Sequence, residues 1–143
     1  SAITEVHGDE LEAQGVELVL DLGTQLPLIH ADPFQLQRAF LNLWRNAVQA
    51  MEDNPADRRR ILCIRTVCRV DAICIAFEDS GAGIPPDVRS RIFTPFFTTK
   101  RHGTGLGLAV VRKIADDHGG TIEVQESQHG GAAIVIALPR RRS

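Results

Sequence analysis

The chain has only three cysteines in 143 residues, Cys63, Cys68 and Cys74, and no CxxC pair joins them. That spacing offers no zinc site and no redox dithiol, and the apolar alternating surroundings suit small buried hydrophobes in a reducing compartment. No apolar run reaches the roughly 18 residues of a membrane span and no signal peptide is present, so a soluble domain is expected. An excess of one charge is missing too: 16 Lys plus Arg stand against 18 Asp plus Glu, a formal net charge of −2. Such a balance gives no general pull toward nucleic acid or anionic lipid, so phosphate recognition must be local and the partner a small molecule or a protein. Absent as well are GxxxxGK[ST], the HRD and DFG signatures, internal repeats and low-complexity segments.

What is present fits one domain with a real core, and is too short for two. The chain starts at Ser1, in what reads as mid-helix, and is expected to be a fragment. Residues 2–14 have weak helical periodicity interrupted by Gly8, with Gly15 as a stop. VELVLDL at 16–22 alternates as a strand with one buried face. Asp32-Pro33 is a helix start, with a carboxylate N-cap and proline at the first helical position. That helix is predicted to reach about Met51, with Phe34, Leu36, Phe40, Leu41, Trp44, Ala47, Val48 and Met51 on its apolar face. EDNPADRRR at 52–60 is a turn whose three arginines are expected to be merely solvated. ILCIRTVCRV and DAICIAFED read as two strands meeting near Val70-Asp71, the second ending in Asp79. Thr104 caps a helix over about 105–117 with Leu106, Leu108, Val110, Val111 and Ile114 inward, stopped by His118-Gly119-Gly120. TIEVQES and AAIVIALP form a closing hairpin across QHGG, and Arg140 to Ser143 is a frayed tail. About five strands and three helices predict a two-layer α/β sandwich, one mixed and mostly antiparallel sheet with helices on one face.

The chemistry gathers between Asp79 and Leu108, DSGAGIPPDVRSRIFTPFFTTKRHGTGLGL. Gly81 and Gly83 follow Asp79, and Gly103, Gly105 and Gly107 lead into a helix. Glycine admits positive φ and close approach of a ligand, so this loop can fold over something flat at one end and charged at the other, as a nucleoside triphosphate is. The later glycines miss the GxGxxG spacing, yet they open on a helix N-terminus, whose free N–H groups favour phosphate. An aspartate carboxylate can only accept, which suits the exocyclic amine of adenine and not the keto oxygen of guanine; Asp-Ser-Gly alone is as readily a turn. Asn42 and Asn46 lie four apart, so their amides share one side of their helix. A surface helix tolerates asparagine, while an amide oxygen is also a hard neutral ligand for Mg²⁺. Arg91, Lys100, Arg101 and His102 sit in the loop, and Arg91 and Lys100 are the two taken here to neutralise phosphate. Phe93, Phe96 and Phe97 fall in a stretch too polar for core and are expected to form an apolar patch, under a mobile lid over about 86–103 or against a partner domain.

DSGAGIP at 79–85, IFTPFFTTK at 92–100, GTGLGLAVVRKIADDHGG at 103–120 and LNLWRNAVQAM at 41–51, in this spacing, resemble the four boxes of the ATP-binding domain of bacterial two-component sensor histidine kinases. The resemblance implies a Bergerat-type fold, shared with gyrase and with the chaperone and mismatch-repair ATPases. It implies a single catalytic domain over 1–143 that binds Mg-ATP and transfers the γ-phosphate to a histidine on a separate dimerisation domain. Asp79 would then read adenine with Gly81 and Gly83 against the ring, and Asn46 would hold Mg²⁺. Arg91, Lys100, Gly103, Thr104, Gly105, Leu106 and Gly107 would surround the phosphates, with Asn42, Asn46 and Lys100 as the catalytic set. Asn42 stands where the hydrolytic relatives carry a glutamate base, so the site is expected to hold ATP for transfer rather than hydrolyse it. Ala132, Ala133 and Ile134 depart from the threonine and aromatic that many members place near the base, so a water-mediated contact is expected to be missing.

None of the five histidines, His7, His30, His102, His118 and His129, lies on a helical hairpin of the kind that carries the family's phosphoacceptor. The partners implied are ATP or ADP, a histidine-bearing dimerisation domain and, through the parent protein, a response regulator, with no nucleic acid and no direct membrane contact. The isolated chain is expected to be a cytoplasmic monomer, its parent either membrane-anchored or soluble. A non-catalytic nucleotide sensor and a conformational ATPase are the rival classes, and Asn42 speaks against the ATPase.

Overall fold

In the computed structural model, which describes residues 15–22, 31–94 and 107–140, Asp32 opens helix α1 (Pro33–Ala50). Its carboxylate accepts the N–H groups of Phe34 and Gln35 at 2.9 and 3.3 Å. Such a cap contributes about 1 kcal/mol, and Pro33 behind it gives up no hydrogen bond. Two further helices follow, the single turn α2 (Pro86–Arg89) and α3 (Gly107–Asp117).

The strands are β1 (Val16–Asp21), β2 (Arg60–Cys68), β3 (Ala72–Asp79), β4 (Thr121–Glu126) and β5 (Ala132–Pro139), in the sheet order β1-β2-β3-β5-β4. β1 runs parallel to β2, with α1 supplying the crossover a parallel pair requires, and the other pairs are antiparallel. This is the mixed, mostly antiparallel sheet expected from the alternation, including the β4–β5 hairpin. Register places Ile64 beside Phe77, Phe77 beside Ile134 and Ile75 beside Ile136. Ile64, Phe77 and Ile134 meet Ala39, Leu43, Trp44 and Ala47 of α1 and Val111 and Ile114 of α3 in one cluster, Ile136 joins Ile73, Ala115 and Leu138 in a second, and Ile75 packs against both. Phe40 packs its ring on Phe77, centroids 6.0 Å apart. Each such side chain taken from water contributes roughly 1.5–3 kcal/mol, so the helices hold to the sheet by this layer.

At the end away from Asp79, His118 locks α3 to α1. Its Nδ1 donates to the Ile114 carbonyl at 2.7 Å and its Nε2 accepts the Asp32 N–H at 3.0 Å, which settles the tautomer.

Three expectations need correction. Phe93 is not in a surface patch: Ile92 and Phe93, only 8% and 9% exposed, belong to the core, and the helical turn α2 precedes them. Ile92 and Phe93 thus anchor this segment to the core, while Pro86, Asp87, Ser90, Arg91 and Thr94 around them are exposed; Phe96, Phe97 and residues 95–103 of the expected lid fall outside the described residues. Phe34 does not join the apolar face of α1 and is 80% exposed, because the first turn projects past the edge of the core. Cys68 is exposed near the β2–β3 turn, whereas Cys63 is buried. The helix expected over 2–14 lies outside the described residues.

Candidate functional site

The site assembles where α1, the end of β3 and the start of α3 converge. Leu43, Trp44 and Ala47 face the core, and the same turns bring Asn46 to a buried position, with Asn42 half-buried one turn earlier. Asn42 lies beside the first residue of α3: a Cβ added at Gly107 would stand 3.6 Å from Asn42 Oδ1. A residue of the asparagine pair thus meets the glycine-rich helix start across 65 positions of sequence. Lys100, Gly103, Thr104, Gly105 and Leu106 lie outside the described residues. Arg91 is exposed on the turn after α2, where its N–H bonds the Val88 carbonyl at 3.0 Å and its own carbonyl accepts from Thr94 at 2.9 Å.

Asp79, the last residue of β3, is 1% exposed. Its Oδ1 accepts the backbone N–H groups of Gly81 at 2.9 Å and Ala132 at 3.2 Å. Gly81 has no room for a side chain, since a Cβ there would collide with the Ala50 carbonyl at the end of α1. Gly131 is equally confined, against Asp79 Oδ1 and Gly81 N, while Gly83 has a positive φ of 82°. The glycines after Asp79 therefore let backbone press on backbone around one carboxylate.

Sequence reasoning missed the residues that hold this turn. Ser80, 3% exposed, donates its hydroxyl to the Arg59 carbonyl at 2.7 Å and accepts the Ile61 N–H at 2.8 Å. Asn54 Nδ2 donates to the Ser80 carbonyl at 3.0 Å, and Arg58 Nη2 donates to the Gly81 carbonyl at 2.7 Å. Arg58 is thus not merely solvated, and neither are its neighbours: Arg59 pairs with Glu17, and Arg60 donates to the Glu52 carbonyl at 3.0 Å. A turn-rich segment ending in three arginines carries no local mark of such partners. On the opposite face of β3, Glu78 pairs with Arg65 at 3.3 Å and accepts the Gln128 N–H at 3.2 Å. Arg65 reaches on to Asp21 at 3.0 Å, and the Glu78 charge holds its guanidinium pKa above the usual value. Burial, then the neighbouring Glu78 charge, pushes the Cys63 thiol up.

A sheet of this order with two asparagines on one helix, a buried aspartate closing a central strand and glycines at both ends defines an ATP-binding domain of the two-layer type. Residues 31–142 match the family described as histidine kinase-, DNA gyrase B-, and HSP90-like ATPase, and the chain belongs to that family. The sensor histidine kinase ZraS of Escherichia coli is 38% identical over 130 residues, which make up 91% of this chain and 27% of ZraS. Among solved structures, the catalytic domain of the histidine kinase ThkA superposes with a TM-score of 0.84 at 25% identity, covering 97% of this chain and 90% of that one. Full-length ShkA in complex with AMPPNP gives a TM-score of 0.84 at 27% identity, covering 99% of this chain and 29% of that one. The chain thus spans about a quarter of the length of ZraS.

Proposed function

We propose that the chain is the catalytic ATP-binding domain of a sensor histidine kinase, which holds Mg-ATP and delivers its γ-phosphate to a histidine on a separate dimerisation domain. The observation that carries this reading is the approach of Asn42 to the helix start at Gly107, on the same helix face as Asn46, with the buried Asp79 turn lying against the end of that helix at Ala50. Nucleotide binding is supported by ShkA, solved with AMPPNP.

Asp79 selects adenine, since its carboxylate accepts from an exocyclic amine and repels a keto oxygen. Asn46 is the metal ligand: a hard, neutral amide oxygen fits Mg²⁺, which keeps waters and shares phosphate oxygens. The triphosphate and water would complete the coordination of the ion. Held by Asn46, Mg²⁺ would supply charge neutralisation at the transferring phosphoryl group. Gly103, Thr104, Gly105, Leu106 and Gly107 are assigned to the phosphates, with Arg91 and Lys100 as the positive charge for them. Asn42 provides no base for water, so the phosphoryl group waits for the histidine acceptor.

The parent protein passes the phosphate to a response regulator, and this domain works in the cytoplasm whether the parent is anchored or soluble. Among the described residues no helix is long and apolar enough to cross a membrane. Calorimetric titration of the chain with ATP, with and without Mg²⁺, tests the binding half of the reading. No heat of binding in either condition would refute it.

A further inference from the structure

We infer that Arg58 is a positioning residue for the base end of the nucleotide site, acting through the Gly81 peptide and the β4–β5 loop. The inference rests on the reading of Asp79 as the adenine contact.

Arg58 follows the α1–β2 turn and is itself exposed, so burial does not explain where its side chain lies. Its Nη2 donates to the Gly81 carbonyl at 2.7 Å. The same nitrogen closes on the β4–β5 loop, where a Cβ added at Gly130 would come within 2.9 Å of it. The guanidinium therefore spans two segments that both press on Asp79, since Gly81 donates to Oδ1 and Gly131 packs against it. In a trans peptide the carbonyl and the following N–H point opposite ways. Holding the Gly81 carbonyl on Arg58 thus turns the Ala82 N–H away from it and fixes the direction in which the 81–82 peptide presents its dipole.

The neighbouring peptide is held in the same manner, because Asn54 donates to the Ser80 carbonyl at 3.0 Å. Two consecutive carbonyls after Asp79 are therefore oriented by side chains of one loop. Asn54 bonds the carbonyl of Ser80, a residue whose N–H and hydroxyl are already engaged by Met51 Sδ and the Arg59 carbonyl. Arg58 bonds the one beyond it, on the turn that closes around Oδ1. A donor at that point sets how the turn meets a purine and leaves the phosphate end untouched. Loss of one such hydrogen bond corresponds to about three- to tenfold in affinity.

The experiment measures ATP, GTP and inorganic tripolyphosphate binding to the unmutated chain, Arg58→Ala and Arg58→Lys, with the melting temperature of each. Arg58→Ala is expected to bind ATP about three- to tenfold more weakly, to discriminate less between ATP and GTP, and to bind tripolyphosphate as before. Arg58→Lys is expected to recover part of the ATP affinity. Equal losses for ATP and tripolyphosphate, or no loss for either, would overturn the inference. If the unmutated chain bound ATP no better than GTP, the adenine assignment of Asp79 would fall first and the role of Arg58 with it.

Discussion

The backbone N–H of Ala132 donates to Oδ1 of Asp79 at 3.2 Å, across 53 positions of sequence. β5, paired with β3 and β4 on its two sides, therefore also meets the carboxylate that ends β3. The position where Ala132 departs from the family's usual residues contributes its main chain whatever its side chain. The same oxygen takes the Gly81 N–H, so Asp79 organises backbone on both sides before any ligand arrives.

Base selectivity is expected to follow from that carboxylate if Asp79 reads adenine as proposed. Asp79→Asn keeps the shape and replaces half of the acceptor set with a donor. Loss of a hydrogen bond to a charged group is worth about 1.5–3 kcal/mol, or roughly ten- to a hundredfold in ATP affinity. Calorimetry is expected to show that loss with little change for tripolyphosphate. Equal ATP and GTP affinities in the unmutated chain would contradict the assignment.

Asn46→Ala is expected to remove the part of ATP affinity that depends on magnesium. Titrations in excess Mg²⁺ and in excess chelator separate the two contributions. A loss of the same size in chelator would mean that the buried amide serves the fold alone, because removing a buried hydrogen-bonding group costs about 1–3 kcal/mol by itself.

Gly131→Ala forces a methyl into Asp79 Oδ1 and the Gly81 N–H. Overpacking of this kind costs about 1–3 kcal/mol. The melting temperature is expected to drop and ATP affinity to fall with it, since the displaced oxygen orients the carboxylate proposed to read the base. An unchanged melting temperature would show that the loop yields without disturbing Asp79.

Cys63 gives a dependence on pH. Its thiol pKa is raised in the folded chain, by burial first and by the Glu78 charge next. Folding thus favours the neutral thiol. No stability is lost below the ordinary thiol pKa of about 8.5, and stability falls as pH rises past it, because the unfolded thiol ionises more easily. Between about pH 7.5 and 9.5, Cys63→Ala is expected to lose less melting temperature than the unmutated chain. Iodoacetamide is expected to label exposed Cys68 well before Cys63. Parallel melting curves and equal labelling rates would count against it.

The parts of the fold that sequence predicts well are those governed by neighbours in the chain. Asp32-Pro33 announces α1 because cap and first turn are three residues apart, and the strands show themselves by alternation. Asp79, Asn42 and Asn46 are legible because each belongs to a local motif. Phe93, Arg58 and Ser80 are not, since their partners lie on other elements and no periodicity encodes them. Phe93 sits in a polar run yet is reached by the core, and Arg58 is an ordinary loop arginine until the Gly81 carbonyl is brought to it. Cys68 erred the other way, an apolar residue where β2 leaves the covered part of the sheet.

Transfer of the γ-phosphate tests the account most directly. The chain is incubated with γ-labelled ATP and Mg²⁺, alone and with a histidine-bearing dimerisation domain from the same parent protein, and free phosphate and protein-bound label are followed together. Because Asn42 supplies no base, and losing one removes roughly 10²–10⁴-fold in rate, the account predicts very slow phosphate release by the chain alone. It predicts label on the added domain that is lost in acid and kept in base, as a phosphohistidine is. Rapid steady hydrolysis by the chain alone, or tight ATP binding with no label ever reaching the histidine domain, would contradict it.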